Sequence, residues 1–205
     1  LRQREWSEGV VDDIYDQVWF RDEPMTTLAA AVPALKDRVL LTNGVSKSHA
    51  MTGWRIGYAA GPAPLVAAIN KLQSQMSSCP SSVSQAAAVA ALTGDQGFVA
   101  ESVAVYRERR DYACGRLNAI PRLSCSVPDG AFYLYPNCAG VIGRTTPEGR
   151  VIASDLDFVL YLLEGEGVAA LHGAAYGLSP HFRLSFATSM PVIREACDRI
   201  ERAVG

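Results

Sequence analysis

Residues 43–62 read NGVSKSHAMTGWRIGYAAGP and place a single lysine in a turn between two apolar segments. Lys47 follows the turn signal Asn43-Gly44, has small residues on both sides, and has no acidic neighbour within the segment. We expect such surroundings to desolvate the ammonium group, as a nucleophilic amine requires. The residues alone therefore make Lys47 a candidate reactive amine. The alternative is a solvated, protonated and inert loop lysine, which is the usual state of a lysine on a surface.

Lysine is scarce in this chain, which strengthens the case for Lys47. The sequence has 19 basic residues, of which only Lys36, Lys47 and Lys71 are lysines. The other two lysines lie in segments whose pattern predicts solvated helical surfaces. Of the three lysines, Lys47 is thus the best candidate for a reactive amine.

Apolar segments with strand and helix patterns alternate along the chain. The pattern predicts strands at 9–15, 39–42, 54–60, 123–127, 131–135, 168–171 and 182–186. It predicts helices at 64–75, 82–92, 98–118, 154–163 and 190–204, with a loop at 140–150. We therefore expect an α/β fold in two domains. Residues 1–97 have the texture of a mostly parallel sheet with helices, and residues 98–205 form a smaller α+β domain.

Composition excludes several classes of protein. The 205 residues are 49% hydrophobic and 20% charged, with a formal net charge of −2, which is ordinary for a globular protein. This balance excludes a disordered chain and lacks the positive potential that binds nucleic acid or an anionic membrane. The five cysteines are odd in number and form no CxxC pair, and the three histidines are scattered. We expect reduced thiols in a cytoplasmic protein and no metal site.

The lysine segment resembles the motif of class-I aminotransferases, the fold-type-I enzymes that use pyridoxal 5'-phosphate (PLP). The matching positions are Gly44, Ser46, Lys47, Ala50, Met51, Gly53, Arg55, Ile56 and Gly57. Many relatives carry Ser where Gly44 stands, so one hydrogen bond to the phosphate is absent here. The resemblance implies that residues 1–97 are the C-terminal part of the PLP-binding large domain. Residues 98–205 would then be the small domain.

Further segments resemble the same family in the same order along the chain. GVVDDIYDQ at 9–17 resembles the strand that ends D-E-x-Y, with Asp13 in place of Glu. VPDGAFYLYPNC at 127–138 resembles the small-domain hairpin, and GLSPHFRLSFATS at 177–189 resembles the strand with the carboxylate-binding arginine. Segments 77–92 and 173–189 are most similar to the bacterial branch that acts on aspartate and, in some members, on prephenate.

The resemblance implies a role for each of five residues around the cofactor. Lys47 would form the internal aldimine with PLP and then move the proton between Cα and C4′. Asp12 would pair with the protonated pyridine nitrogen, and Tyr15 would hydrogen-bond to the phenolic oxygen. Arg55 would hold the phosphate with help from the Ser46 hydroxyl. Without the family, Asp12 reads as a strand-end carboxylate that caps a turn, and Tyr15 as a core tyrosine.

Arg183 would bind the α-carboxylate of the substrate and so fix the orientation of its Cα–H bond. The implied activity is a ping-pong transamination between an amino acid, aspartate or a similar one, and a 2-oxo acid. The implied assembly is a homodimer with its active site at the subunit interface. Two alternatives stay open: a PLP-dependent lyase or synthase on the same fold, and a non-catalytic sensor domain of a transcription regulator. From the residues alone, an isolated arginine on a strand is usually a surface or ion-paired residue, so the role of Arg183 rests mainly on the matching FRLSFA context.

Family members carry an N-terminal half before the D-x-x-Y strand, and it supplies further cofactor contacts. We therefore expect the natural protein to extend upstream. A parallel sheet cut at this strand exposes an apolar edge, so residues 1–205 alone are expected to be poorly soluble or inactive.

Overall fold

The computed structural model describes residues 8–205, and the chain divides into two compact units, Leu1–Val103 and Ala104–Gly205. The domain boundary that the sequence suggests, between residues 97 and 98, stays a prediction.

The first unit is built on a three-stranded sheet in the order β1-β2-β3. Strands β1 (Gly9–Asp12) and β2 (Val39–Asn43) are parallel, with Asp12 opposite Thr42. Strand β3 (Tyr58–Ala60) runs antiparallel to β2. The predicted strand at 54–60 is wrong in its first half, because Thr52–Trp54 forms a 3₁₀ turn and Arg55 has a φ of +51°. That left-handed conformation cannot continue a strand.

Three of the four α-helices that begin in the first unit follow the predicted apolar spacing closely, whereas the first, four-residue helix and the 3₁₀ helix were not predicted. They are α1 (Leu28–Ala31), α2 (Ala63–Met76), α3 (Ser82–Thr93) and α4 (Gly97–Ala119), which contains the division between the units; a 3₁₀ helix spans Pro33–Arg38. Helix α2 buries none of its side chains, and α3 buries only Ser84. Leu72 and Met76 of α2 are 63% and 83% exposed. The amphipathic pattern therefore predicted the helix correctly, but the apolar side chains of α2 are not buried in a core.

The second unit holds an antiparallel sheet in the order β4-β6-β5. Its elements are β4 (Tyr133–Leu134), β5 (Leu171–His172), β6 (Phe182–Ser185), α5 (Asp155–Glu166) and α6 (Met190–Val204), with 3₁₀ turns at Ala139–Val141 and Gly173–Tyr176. The predicted strand at 168–171 is displaced to the two residues of β5.

The predicted strand at 123–127 is wrong, because only Ser124 makes a bridge, with Asn137. The side chain of Asn118 takes both backbone groups of Cys125 instead, accepting its N–H at 2.7 Å and donating to its carbonyl at 2.8 Å. A side-chain amide thus replaces the strand partner at this point.

The core of the second unit is apolar and closely packed. Phe158 of α5 and Phe182 of β6 are fully buried and meet edge to face, with ring centres 5.3 Å apart. Helix α6 adds one buried stripe at helical spacing, Ile193, Cys197, Ile200 and Val204. Ser154 caps α5 as predicted, accepting a hydrogen bond from the Asp157 N–H. Among the described residues, no helix is both long and apolar enough to cross a membrane.

Candidate active site

The candidate site of the first unit lies where the two parallel strands end. Parallel strands finish at the same edge of a sheet, so the loops that follow β1 and β2 are neighbours. Asp12 is the last residue of β1, and Asn43 is the last residue of β2. The backbone N–H of Asp13 donates to the carbonyl of Thr42 at 3.0 Å, which continues the pairing into the loops. This edge carries five of the predicted site residues.

The segment from Gly44 to Gly57 connects β2 to the antiparallel β3 and therefore returns to the same edge. Its two ends pack backbone against backbone. A Cβ on Gly44 would lie 3.1 Å from the carbonyl oxygen of Ile56 and 3.2 Å from the Gly57 Cα. A side chain at position 44 would require these neighbours to shift by a few tenths of an ångström, and glycine allows the close approach without that shift. The packing brings Arg55 back to the start of the turn that holds Lys47.

Lys47 and Tyr15 are brought together at this edge. The Lys47 Nζ lies 5.8 Å from the centre of the Tyr15 ring, within the range of a cation–π contact. Lys47 occupies a turn in which the His49 N–H donates to the Val45 carbonyl, and Tyr15 a turn in which the Val18 N–H donates to the Tyr15 carbonyl. Both side chains are half-buried. An amine and a phenol from different loops thus share one small space.

Asp12 and Asp13 point to different environments. Asp12 is exposed, and its Oδ1 accepts a hydrogen bond from the Ile14 N–H at 3.3 Å. This contact is the one expected of a strand-end carboxylate that caps a turn. Asp13 is buried, and its Oδ2 has no hydrogen-bond partner among the described residues. Burial raises the pKa of Asp13, and the charges of Asp16 and Asp12 raise it further.

Arg55 and Ser46 complete the set at this edge. Arg55 is exposed, and one of its terminal nitrogens donates to the Thr52 carbonyl at 3.0 Å, within its own turn. Ser46 is half-buried beside Lys47. The edge therefore offers an amine, a guanidinium, two hydroxyls and a carboxylate.

Arg183 belongs to the second unit, where it lies on β6 opposite Leu171 of β5. Its guanidinium carbon lies over two aromatic rings, 4.4 Å from the centre of the Tyr133 ring and 4.4 Å from that of Tyr176. Within residues 8–205, its side chain makes no ion pair and no hydrogen bond.

Sequence reasoning missed three residues of these surroundings. Asp16 accepts a hydrogen bond from the Asn43 side chain at 2.9 Å, and its charge raises the pKa of Asp13 and of Tyr58. For both groups, burial is the larger cause of the raised pKa. The three aspartates in the five residues 12–16 could have drawn attention to it. Tyr133 and Tyr176 had no such signal in the sequence, because they are 43 residues apart and come together only through the β4–β6 pairing and the turn that follows β5.

Comparison with known proteins decides the family. Residues 9–200 match the family model described as aminotransferase class I and II. The chain belongs to this family. The resemblance noted from the lysine segment is therefore confirmed.

Curated relatives narrow the comparison. The chain is 50% identical over 196 residues to a probable aspartate/prephenate aminotransferase of Rhizobium leguminosarum bv. phaseoli, covering 96% of this chain and 49% of the relative. It is 52% identical over 194 residues to the aspartate aminotransferase of Rhizobium meliloti (strain 1021), covering 95% and 47%. The chain thus spans about half the length of the curated relatives that it matches.

Solved aminotransferase structures share the fold. The crystal structure of the Rhizobium meliloti aspartate aminotransferase matches with a TM-score of 0.92 at 51% identity, over 95% of this chain and 49% of that one. A double mutant of the Thermus thermophilus aspartate aminotransferase matches with a TM-score of 0.83 at 32% identity, over 95% and 47%. These matches confirm the predicted fold class. The roles of the individual site residues stay predictions.

Class-I aminotransferases are PLP-dependent, and the residues at the sheet edge suit this cofactor. An amine can bind the aldehyde of PLP, and a carboxylate can pair with its protonated ring nitrogen. A phenol can hydrogen-bond to the phenolic oxygen of PLP, and a guanidinium together with a hydroxyl can bind its phosphate. No group of three or more His, Cys, Asp and Glu side chains in residues 8–205 is arranged to hold a metal ion.

Proposed function

We propose that this aminotransferase-family chain carries the reactive lysine and cofactor-binding residues of a PLP-dependent transaminase. The reaction exchanges amino and oxo groups between aspartate, or a similar amino acid, and a 2-oxo acid by a ping-pong mechanism. The observation that carries the proposal is Lys47 beside Tyr15, at the common edge of two parallel strands. The relatives named as aspartate and aspartate/prephenate aminotransferases support the substrate class.

Bound PLP supplies an aldehyde and an electron-withdrawing ring that accepts the electron pair of the substrate's Cα–H bond. Lys47 Nζ would hold the cofactor through its aldehyde carbon, and as a free amine it would move the proton of the substrate's Cα. Asp12 holds the proton on the ring nitrogen. The exposed carboxylate of Asp12 has room to do so, since Oδ1 alone accepts the bond from Ile14.

Phosphate and phenolic oxygen are held by the flanking groups. Arg55 and Ser46 bind the phosphate with charge-assisted hydrogen bonds, for which a guanidinium is well suited. Tyr15 donates its hydroxyl to the phenolic oxygen. The short packing between Gly44 and Ile56 supports this assignment, because it keeps Arg55 close to the turn that holds Lys47 and Ser46.

Arg183 binds the α-carboxylate of the substrate and selects which Cα bond is broken. A bidentate pair between guanidinium and carboxylate fixes the orientation of the substrate, and orientation decides which bond aligns with the cofactor ring. Free donors on Arg183 support this role, since no described carboxylate occupies them.

The assembly and location are further parts of the proposal. We place the active site at the interface of a homodimer, as the family resemblance implies, and the large and small domains at 1–97 and 98–205. Five free cysteines, four of them buried, support a cytoplasmic, reducing location.

Replacement of Lys47 by Ala in the intact protein tests the proposal. Borohydride reduction of the wild type should leave the cofactor attached to the peptide that contains Lys47, as mass spectrometry detects. Lys47→Ala should show neither this adduct nor transamination, while the matched variant Lys71→Ala keeps both. An adduct at another lysine, or transamination by Lys47→Ala, would contradict the assignment. Aspartate and other donors, tested with 2-oxoglutarate, oxaloacetate and prephenate as acceptors, then define the substrates.

A further inference from the structure

The surroundings of Arg183 contain more than a binding arginine. Its guanidinium carbon lies 4.4 Å from the ring centre of Tyr133 and 4.4 Å from that of Tyr176, which is well inside the range of cation–π contacts. We call Tyr133 and Tyr176 the aromatic clamp. A guanidinium is planar, and its five N–H donors point outward in that plane. Rings that pack on its faces therefore leave the edge with the donors available.

The sheet explains how Tyr133 reaches Arg183. Tyr133 of β4 pairs with Ser185 of β6, and Arg183 lies two residues before Ser185 on the same strand. Residues two apart on a strand point to the same face, so Tyr133 and Arg183 are diagonal neighbours. Diagonal neighbours lie within reach of long and aromatic side chains.

Tyr176 reaches the guanidinium from a loop that is fastened at several points. Tyr135 donates its hydroxyl to the Gly173 carbonyl at 2.9 Å, and its ring meets Tyr176 edge to face at 6.4 Å. The buried carboxylate of Asp155 accepts the Ala174 N–H at 3.0 Å. A Cβ on Gly173 would lie 2.2 Å from the Leu178 carbonyl oxygen, so a glycine is required there. Tyr176 is nevertheless 49% exposed.

We propose that Tyr133 and Tyr176 are positioning residues that hold the Arg183 guanidinium by its faces and present its N–H edge to the substrate carboxylate. The proposal rests on the function proposed above for Arg183. The rings limit the rotation of a long side chain and displace water from it. Both effects strengthen a bidentate contact with a carboxylate, because less conformational freedom is lost on binding.

Calorimetric titration of the intact, cofactor-loaded protein with succinate tests the clamp, with the uncharged succinamide as the control ligand. We expect Tyr176→Leu and Tyr133→Leu to raise the Kd for succinate by about 3- to 30-fold, the range that loss of one cation–π contact gives. The KM for the amino-acid donor should rise with it. Tyr176→Phe and Tyr133→Phe should retain wild-type binding, because they keep the ring.

The matched control is Tyr112→Leu, since the Tyr112 ring contacts Arg194 at 5.0 Å in the same unit. It should leave succinate binding unchanged. Tyr176→Leu is the decisive variant, because removal of a half-exposed ring does little to folding, which thermal unfolding verifies. The proposal is overturned if the Leu variants bind succinate as tightly as wild type, or if the Phe variants lose as much as the Leu variants.

The variant Arg183→Gln separates the role of Tyr133 and Tyr176 from the proposed role of Arg183 in binding the carboxylate. Weak succinate binding by Arg183→Gln with normal binding by the Tyr→Leu variants removes the clamp and keeps the proposed role of Arg183. Normal binding by Arg183→Gln removes that role and the clamp with it, while the test of Lys47 stands independently.

Discussion

Asn43 at the end of β2 donates a 2.9 Å hydrogen bond from Nδ2 to Oδ2 of Asp16, in the loop that follows β1. Its Oδ1 accepts the N–H of the next residue, Gly44, at 2.7 Å. One amide side chain therefore joins the loop that carries Tyr15 to the turn that carries Lys47. This hydrogen bond supports the approach of Lys47 to Tyr15. Asn43 itself is buried, with 9% of its surface exposed.

Asn43→Asp should weaken this connection. The new carboxylate still accepts the Gly44 N–H, but its second oxygen faces Asp16 and replaces a donor by a like charge. We expect the free energy of unfolding to fall by about 1–3 kcal/mol at neutral pH. Urea denaturation followed by tryptophan fluorescence measures this, since Trp19 and Trp54 belong to the first unit.

The double variant Asn43→Asp with Asp16→Asn is the control for Asn43→Asp. It restores a donor and an acceptor at the same two positions with their roles exchanged, and should recover most of the loss. No recovery would show that the two side chains act independently.

Asp13→Asn should stabilise the first unit at neutral pH. The fold raises the pKa of Asp13 through burial and through the charges of Asp16 and Asp12, so it favours the protonated form. The stability that this carboxyl contributes is present below its ordinary pKa of 3.8 and is lost as the pH rises through the raised value. Because asparagine cannot ionise, it avoids this loss, and we expect the free energy of unfolding to rise by about 1 kcal/mol at pH 7. Urea midpoints at pH 7 and pH 3 should differ between the two proteins only at pH 7.

Asp155→Asn should destabilise the second unit, with the opposite dependence on pH. Burial alone would raise the pKa of Asp155, but hydrogen bonds from the Ser179 side chain and from backbone N–H groups, including that of Ala174, lower it. The stability contributed by this carboxylate is present above its ordinary pKa of 3.8 and is lost as the pH falls through the lowered value. We expect a loss of about 1–3 kcal/mol at pH 7 that shrinks in acid.

Thermal unfolding followed by circular dichroism between pH 7 and about pH 2 measures the effect of Asp155→Asn on stability. Hydrogen exchange of the Ala174 amide measures its effect on the local hydrogen bond. Glu148→Gln, at an exposed position, is the control. An equal loss at pH 7 and at pH 2 would contradict the linkage.

The double variant Leu72→Glu with Met76→Glu should make the 205-residue chain, expressed by itself, more soluble. Both side chains are more than half exposed on a helix that buries none of its residues. Exposed apolar clusters of this kind promote association. Dynamic light scattering should show smaller particles for the variant. Ser74→Glu with Gln75→Glu adds the same charge on α2 without removing apolar surface, and an equal improvement by this control would assign the effect to charge alone.

Local chemistry is what the sequence predicted well. The helices at 64–75, 82–92 and 98–118 and the Ser154 cap follow from apolar spacing and side-chain hydrogen bonding within a few residues. In the structure each of these helices begins and ends within one residue of its predicted bounds. Strands were less predictable, because their extent depends on partners elsewhere in the chain. The 123–127 segment shows this, since Asn118 occupies the backbone groups of Cys125 that a strand partner would use.

The sequence by itself determined the family and singled out Lys47 as the proposed reactive amine, because the types and spacing of residues 44–57 are a local pattern. Only the tertiary structure decided what surrounds these groups. The parallel pairing of β1 with β2 brings Tyr15 to Lys47 across 32 residues, and the β4–β6 register together with the loop after β5 brings two tyrosines to Arg183. The tertiary structure also decided that Asp13 is buried, which raises its pKa, whereas Asp12 is exposed. Contacts, burial and charge at these sites come from chain segments far apart in sequence, and only folding places them together.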